Sequence, residues 1–179
     1  GVVFFSIKFA IQLFSLSKLL SKYEIVNQGN YKFVDTKENI SPFSFFNFII
    51  YNKIQFTKEE LNQIIAHEKT HVSQWHSIDT LLTYILQIAF WINPFVWLYK
   101  KATQQNLEFL ADATASKQIN DQKQYQFTLL KTSNTHYCEA ITNSFYNSLI
   151  KKRILMLQKN KSKQFKQLKF TLLLPLLTI

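Results

Sequence analysis

The sequence predicts a mainly α-helical fold with a small β element, set among apolar segments long enough to enter a membrane. Three observations carry this. Gly (2) and Pro (3) are scarce among 179 residues, too few punctuating residues for a turn-dense all-β chain. Apolar residues make up 47%, with 17 Phe, 8 Tyr and 3 Trp, enough for one core but not for two domains. Uncharged runs of bilayer length stand beside lysine-rich ones. The formal charge of +10 would suit nucleic acid, but no helix-turn-helix, zinc-knuckle or RNP pattern uses it. An anionic membrane surface suits it better, because the basic residues adjoin apolar segments. Cys138 is the single cysteine, which fits a reducing compartment.

Residues 1–20 form an apolar run interrupted at Lys8 and Gln12. The run lacks the basic start and small-residue cleavage site of a signal peptide, so it is read as a partial transmembrane helix. Residues 169–179 are read as the start of another, both belonging to a longer protein. Between them, residues 21–168 are expected to form one domain. Residues 21–40 are polar, with short strands and turns around residues 27–33. Residues 41–51 are aromatic and β-branched, bounded by Pro42 and Asn52, and read as one strand.

Thr57-Lys58-Glu59-Glu60 has the form of a capping box. The helix it opens carries Leu61, Ile64, Ile65, Val72 and Trp75 on one broad face and is expected to run to about His76. Ser77 can cap the next helix. Residues 80–99 are uncharged throughout, long enough to cross a bilayer, with Asn93-Pro94 marking a break or turn. A further helix is expected over residues 95–118, then two helical pieces over 122–157. Residues 151–169 are heavily basic and read as a membrane-facing surface.

His67 and His71 stand four residues apart on the first of these helices, so both imidazoles face the same side and can reach one metal ion. Glu68, beside the first, sits where it can take a proton from an attacking water. This spacing assigns His67 and His71 as zinc ligands and Glu68 as general base. A catalytic zinc site needs a third protein ligand and an open position. His76, five residues after His71 on a continuous helix, would point away. The three-His pattern would need Gly at 74 and His at 77, where the chain has Gln74 and Ser77. Glu108 on a later helix is the best third ligand. Asp112, one turn on, can accept the other ring proton of a zinc-bound His.

Shared ligation constrains topology. If residues 80–99 crossed the membrane once, His71 and Glu108 would lie on opposite sides. A turn at Asn93-Pro94 resolves this, with residues 80–99 dipping into the bilayer as a hairpin and returning. The basic residues near both flanking segments then place the active site on the cytoplasmic face of a multi-pass protein in the cell membrane.

His67-Glu68-Lys69-Thr70-His71, followed by Ser77 and Asp79, residues 91–97 (WINPFVW) and residues 106–112 (NLEFLAD), resembles the antirepressor membrane metallopeptidases of the beta-lactam and methicillin-resistance sensor-transducer type. The resemblance covers roughly residues 41–157, including Lys152-Arg153-Ile154. It implies a zincin-like (gluzincin) domain between transmembrane helices, with His67, His71 and Glu108 on zinc and Glu68 as base. It also implies signalling by cleavage of a cytoplasmic repressor or of the protein itself. The penicillin-binding sensor domain of the best-known members is not contained in these residues, so the ligand sensed stays open.

The expected partners are therefore a peptide or protein substrate, such as a transcriptional repressor, and the lipid bilayer, with no direct nucleic acid. Residues 41–51 precede the metal helix as an edge strand would, and such an edge can hold an extended peptide. His136, in a polar loop, is read as a surface histidine rather than an oxyanion stabiliser, and Cys138 receives no role. The rival reading is a non-catalytic membrane receptor or scaffold with a structural metal site, against which an intact Glu68 counts.

Overall fold

The computed structural model describes residues 1–119, 121–134 and 143–158. The expectations for His136, Cys138 and residues 169–179, and part of the basic stretch 151–169, lie outside the described residues. Among the described residues, helix α1 (Val2–Lys22) comes first, then a four-stranded sheet, a 3-10 turn (Lys53–Gln55) and five α-helices.

Nothing in α1 is buried, and it is long and apolar enough to cross a membrane. At Tyr23 the backbone turns extended, and β1 (Ile25–Gln28) pairs antiparallel with β2 (Tyr31–Asp35). Gly29, at φ +59°, makes the turn between them, a conformation open to Gly without a Cβ clash. Residues 41–51 are two strands rather than one. β3 (Phe43–Phe45) and β4 (Phe48–Tyr51) form a hairpin through Phe46, which sits at φ +50°. A left-handed Phe carries no Gly or Asn-Gly signal, so the composition read as continuous strand. The sheet order is β1-β2-β4-β3, with β2 and β4 parallel. Val34, Ile49 and Ile50 are fully buried, and β3 is left as an edge.

The capping box is present. Glu60 N–H donates to the Thr57 hydroxyl (3.3 Å) and Thr57 N–H to the Glu60 carboxylate (2.8 Å), opening α2 (Lys58–Ser73). This helix stops at Ser73, before His76. Trp75 adopts φ +57° and ψ +30°, and α3 (His76–Ala89) begins at the very next residue. Ser77 therefore lies inside α3 and does not cap it. Its hydroxyl instead accepts the Phe46 amide (2.7 Å) and ties the β3–β4 hairpin to the helix.

The break expected at Asn93-Pro94 is there. α4 (Pro94–Ala115) starts with Pro94, and the Asn93 side chain accepts the Phe95 amide (2.9 Å), a Pro start behind an Asn cap. α3 and α4 form an antiparallel pair, stitched by Lys100 Nζ to Gln87 Oε1 (2.6 Å). α1 lies along this pair: Phe5 meets Trp91 and Trp97, and Phe9 stacks on Tyr84. The two helical pieces expected beyond residue 122 are α5 (Gln122–Asn134) and α6 (Asn143–Gln158). α5 buries Tyr125 and Leu129 against Ala115 of α4 and Ala66 of α2. α2, α4, α5 and α6 thus close around one cavity of about 480 Å³, roofed on one side by β3.

Candidate metal centre

Three side chains meet in that cavity. On α2, the four-residue spacing brings His67 and His71 together, with Nε2 atoms 3.1 Å apart. From α4, Glu108 places Oε2 3.4 Å from His67 Nε2 and Oε1 3.7 Å from His71 Nε2. Zinc–ligand bonds of 2.0–2.1 Å in a tetrahedron put neighbouring ligand atoms about 3.3 Å apart. The histidine nitrogens at 3.1 Å and Glu108 Oε2 at 3.4 Å from His67 stand near that edge length, while the 3.7 Å to His71 runs to the other carboxylate oxygen. Two imidazole nitrogens and one carboxylate oxygen form a donor set that could hold a metal ion.

Glu68 lines the same cavity and is 7% exposed. Burial pushes its carboxyl upward, offset in part by the His67 charge and by a hydrogen bond with Ser44 of β3. The β3 segment is held at the rim by the Ser41 hydroxyl on the Thr132 carbonyl (3.0 Å) and by the Phe46–Ser77 bond already described.

Asp112 follows Glu108 by one turn and is 1% exposed. Its Oδ1 lies 3.2 Å from His67 Nδ1, as the sequence led one to expect. Two further groups were given no role at the site from the sequence, although Arg153 lies in the Lys152-Arg153-Ile154 segment of the resemblance. The Tyr125 hydroxyl donates to Asp112 Oδ1 (2.8 Å) and lies 2.9 Å from His67 Nδ1. Having spent its proton on a carboxylate that only accepts, that hydroxyl must accept from His67. His67 Nδ1 is thereby protonated, and Nε2 faces the cavity. Arg153 of α6 grips Asp112 through Nε and Nη2 (both 2.7 Å) and reaches Glu108 Oε2 with Nη1 (2.9 Å). One clue to Arg153 was available. It is the lone arginine against 20 lysines, and a forked carboxylate clamp is what arginine does and lysine cannot.

The charges follow from this packing. Burial alone would lower His67, but hydrogen bonds to Asp112 and Glu108 outweigh it and, against the Arg153 charge, hold the imidazole up at about 9. His71 is pushed down to about 3 by burial and by the neighbouring His67 charge. Burial raises Glu108, yet the His67 hydrogen bond and the Arg153 charge bring it down to about 2. Asp112 is likewise depressed, with Arg153 and His67 overcoming its burial.

His76 does not point away from this centre. Because α2 ends at Ser73, the left-handed Trp75 folds the chain back, and His76 Nδ1 comes to 2.8 Å from His71 Nδ1. Among the described residues, the group with metal-binding geometry is His67, His71 and Glu108, without His76.

In comparisons with known proteins, the family model described as Peptidase_M56, BlaR1 peptidase M56, matches residues 49–157. The match runs from β4 through α6 and contains every ligand candidate, Glu68, Asp112, Tyr125 and Arg153. A search of curated proteins found no significant match.

Proposed function

Because the chain belongs to the BlaR1 peptidase M56 family, we propose that it is an integral-membrane zinc endopeptidase of the gluzincin type. It acts in signal transduction by hydrolysing a peptide bond in a cytoplasmic repressor or in itself. The observation that carries this is the convergence of one ligand atom each from His67, His71 and Glu108 within 4.8 Å of one another, with Glu68 in the same cavity.

When bound, zinc supplies Lewis acidity, polarising a carbonyl and lowering the pKa of water. The protein's own groups do the rest. Tyr125 and Asp112 hold the His67 ring so that Nε2 faces inward. Arg153 fixes Asp112 and holds Glu108 by one oxygen, setting the angle at which that carboxylate enters the cavity. Glu68 takes the proton of the attacking water and later returns it to the leaving amine. Burial raises its carboxyl toward working pH, which suits a group that must both accept and give a proton. β3 is an edge strand along the cavity, and its unpaired side can take an extended peptide by strand addition.

The membrane reading rests on exposure. α1 has bilayer length, and Leu82, Ile85, Phe90, Ile92, Phe95 and Leu98 on α3, α4 and the turn between them are all at least half exposed. Soluble surfaces rarely show so continuous an apolar patch. α1 runs beside the hairpin tip at Phe5 and ends near the sheet at Lys22. If α1 spans the bilayer, the tip lies within it and the metal site stays at its cytoplasmic edge.

The deciding experiment is zinc analysis and cleavage assay of the full-length protein in detergent, beside Glu68→Gln and Glu108→Gln. Glu68→Gln should keep stoichiometric zinc and lose about 10²–10⁴-fold in cleavage. Glu108→Gln should lose zinc as well. Equal cleavage by wild type and Glu68→Gln would remove the assigned base, and a zinc-free wild type would remove the site.

A further inference from the structure

A chain of hydrogen bonds behind His71 ends on a backbone carbonyl, and its directions can be followed inward from there. The Thr114 hydroxyl donates to the Leu110 carbonyl (2.9 Å). It therefore meets Gln74 as an acceptor, taking the side-chain amide N–H at 3.4 Å. That turns the Gln74 oxygen toward His76, 3.0 Å from Nε2. An amide oxygen only accepts, so His76 Nε2 carries the proton. In the neutral ring, Nδ1 is then bare. It faces His71 Nδ1 at 2.8 Å, so His71 must donate, and its remaining lone pair on Nε2 points at His67 and Glu108.

We propose that His76 is a positioning residue of the metal centre. Its Nδ1 accepts the His71 Nδ1–H and so fixes the tautomer and ring angle that aim His71 Nε2 at the metal. The inference rests on reading His67, His71 and Glu108 as the ligands. Two further observations support it. His76 is 5% exposed, so its ring is largely withdrawn from bulk water. Trp75 holds a left-handed backbone without being Gly, a conformation that L side chains adopt only at a steric cost. The effect of that turn is to lay the His76 ring against His71, centroids 4.9 Å apart. The two ligand histidines are thus held differently. His67 is backed by the anionic Asp112 and His71 by a neutral imidazole. An anion raises ligand basicity more than a neutral acceptor does, so His76 aligns His71 without adding negative charge behind it.

The test uses the full chain in detergent, labelled with ¹⁵N-histidine. With four His in the sequence, the ring nitrogens can be assigned. In metal-free wild type His71 should show a protonated Nδ1 and a bare Nε2. His76→Phe keeps a ring but removes the acceptor. His71 should then shift toward the Nε2–H form, and zinc affinity, measured against a competing chelator, should fall about 10–100-fold. His76→Asn puts an amide oxygen near the lost acceptor and should recover most of that affinity. Wild-type tautomer and affinity in His76→Phe would overturn the proposal, and so would His76→Asn binding as weakly as His76→Phe. Should His76→Phe not fold, Gln74→Leu at the exposed end of the chain decides. It should weaken zinc binding in the same direction and loosen the His76 tautomer, and no change in either would overturn the proposal. A wild type that binds no zinc fails the metal reading itself. A zinc-binding wild type with an indifferent His76 fails only this one.

Discussion

The Nε2 atoms of His67 and His71 face each other across 3.1 Å, and the bonds at both Nδ1 positions leave lone pairs on the facing nitrogens. Two lone pairs do not rest so close without a proton or a cation between them. Zinc should therefore bind the folded protein strongly and the unfolded chain weakly, which makes it a stabiliser. At a free concentration 100 times Kd, it should add about 2.7 kcal/mol. For a chain of this size, that raises the melting temperature by roughly 5–10 °C. Thermal melts with zinc and with a chelator measure it. Coincident melts at saturating zinc would mean the three groups do not hold the ion.

Without the metal, a proton takes its place. His67 is held up at about 9, above the ordinary histidine value near 6.5. The metal-free site therefore carries a proton at neutral pH, and zinc must displace it. Zinc affinity should rise with pH, up to about tenfold per unit, and flatten near pH 9. Calorimetry in buffers of different ionisation enthalpy should find about one proton released at pH 7. The same linkage acts on the metal-free fold. A raised pKa contributes stability that is complete below about 6.5 and is lost as pH climbs through about 9. A pH-independent zinc affinity between 7 and 8.5 would contradict the protonated His67.

Tyr125 and Asp112 both touch His67 Nδ1, but their removal should not cost the same. Tyr125→Phe deletes one hydroxyl, while Asp112 keeps both bonds from Arg153 and stays 3.2 Å from His67. The expected loss is about 1 kcal/mol of stability. Asp112→Ala leaves the buried Arg153, among the described residues, with Glu108 as its ion-pair partner, and stripping one partner from a buried pair costs about 3–5 kcal/mol. Denaturant titration of the two variants checks the ratio. Equal losses would mean that Arg153 is not anchored by Asp112.

How far the site could be read in advance depended on whether its parts are local. His67 with His71, and Glu108 with Asp112, are each one helical turn apart, so helix periodicity alone places each pair on one face. The capping box and the Asn93-Pro94 break are local chemistry too, and the helices begin where those residues put them. Tyr125 and Arg153 reach the site from α5 and α6 through packing across long sequence separations, for which no local pattern exists. His76 escapes this reasoning because a continuous helix would carry it away from the ligand face. The helix ends at Ser73 through a Trp in the left-handed region, and no Gly, Asn or Pro announces it. Phe46 hid the β3–β4 hairpin in the same way. Both surprises are large aromatic residues standing where glycine is expected.

The hairpin tip can be tested through its own fluorophores. The sequence has three Trp: Trp75 stands beside the metal helix, while Trp91 and Trp97 flank the turn between α3 and α4. Trp97 Nε1 donates to the Trp91 carbonyl (2.9 Å), so the indole N–H is satisfied within the protein and does not require water. Trp97 can therefore sit below the headgroups, where an unpaired N–H would be costly. In vesicles containing brominated lipids, a Trp75→Phe protein should be quenched, most strongly by bromines carried deep on the acyl chains. A protein retaining only Trp75 should respond weakly. Cysteines introduced at Ser73 and Gln105, in a Cys138→Ser background, should be labelled from the same side of the membrane. Labelling from opposite sides would make the segment a single span and pull His71 and Glu108 apart, which the 3.7 Å between them does not allow. Unquenched Trp91 and Trp97 would instead put the hairpin outside the hydrocarbon and leave its exposed apolar face to a protein partner.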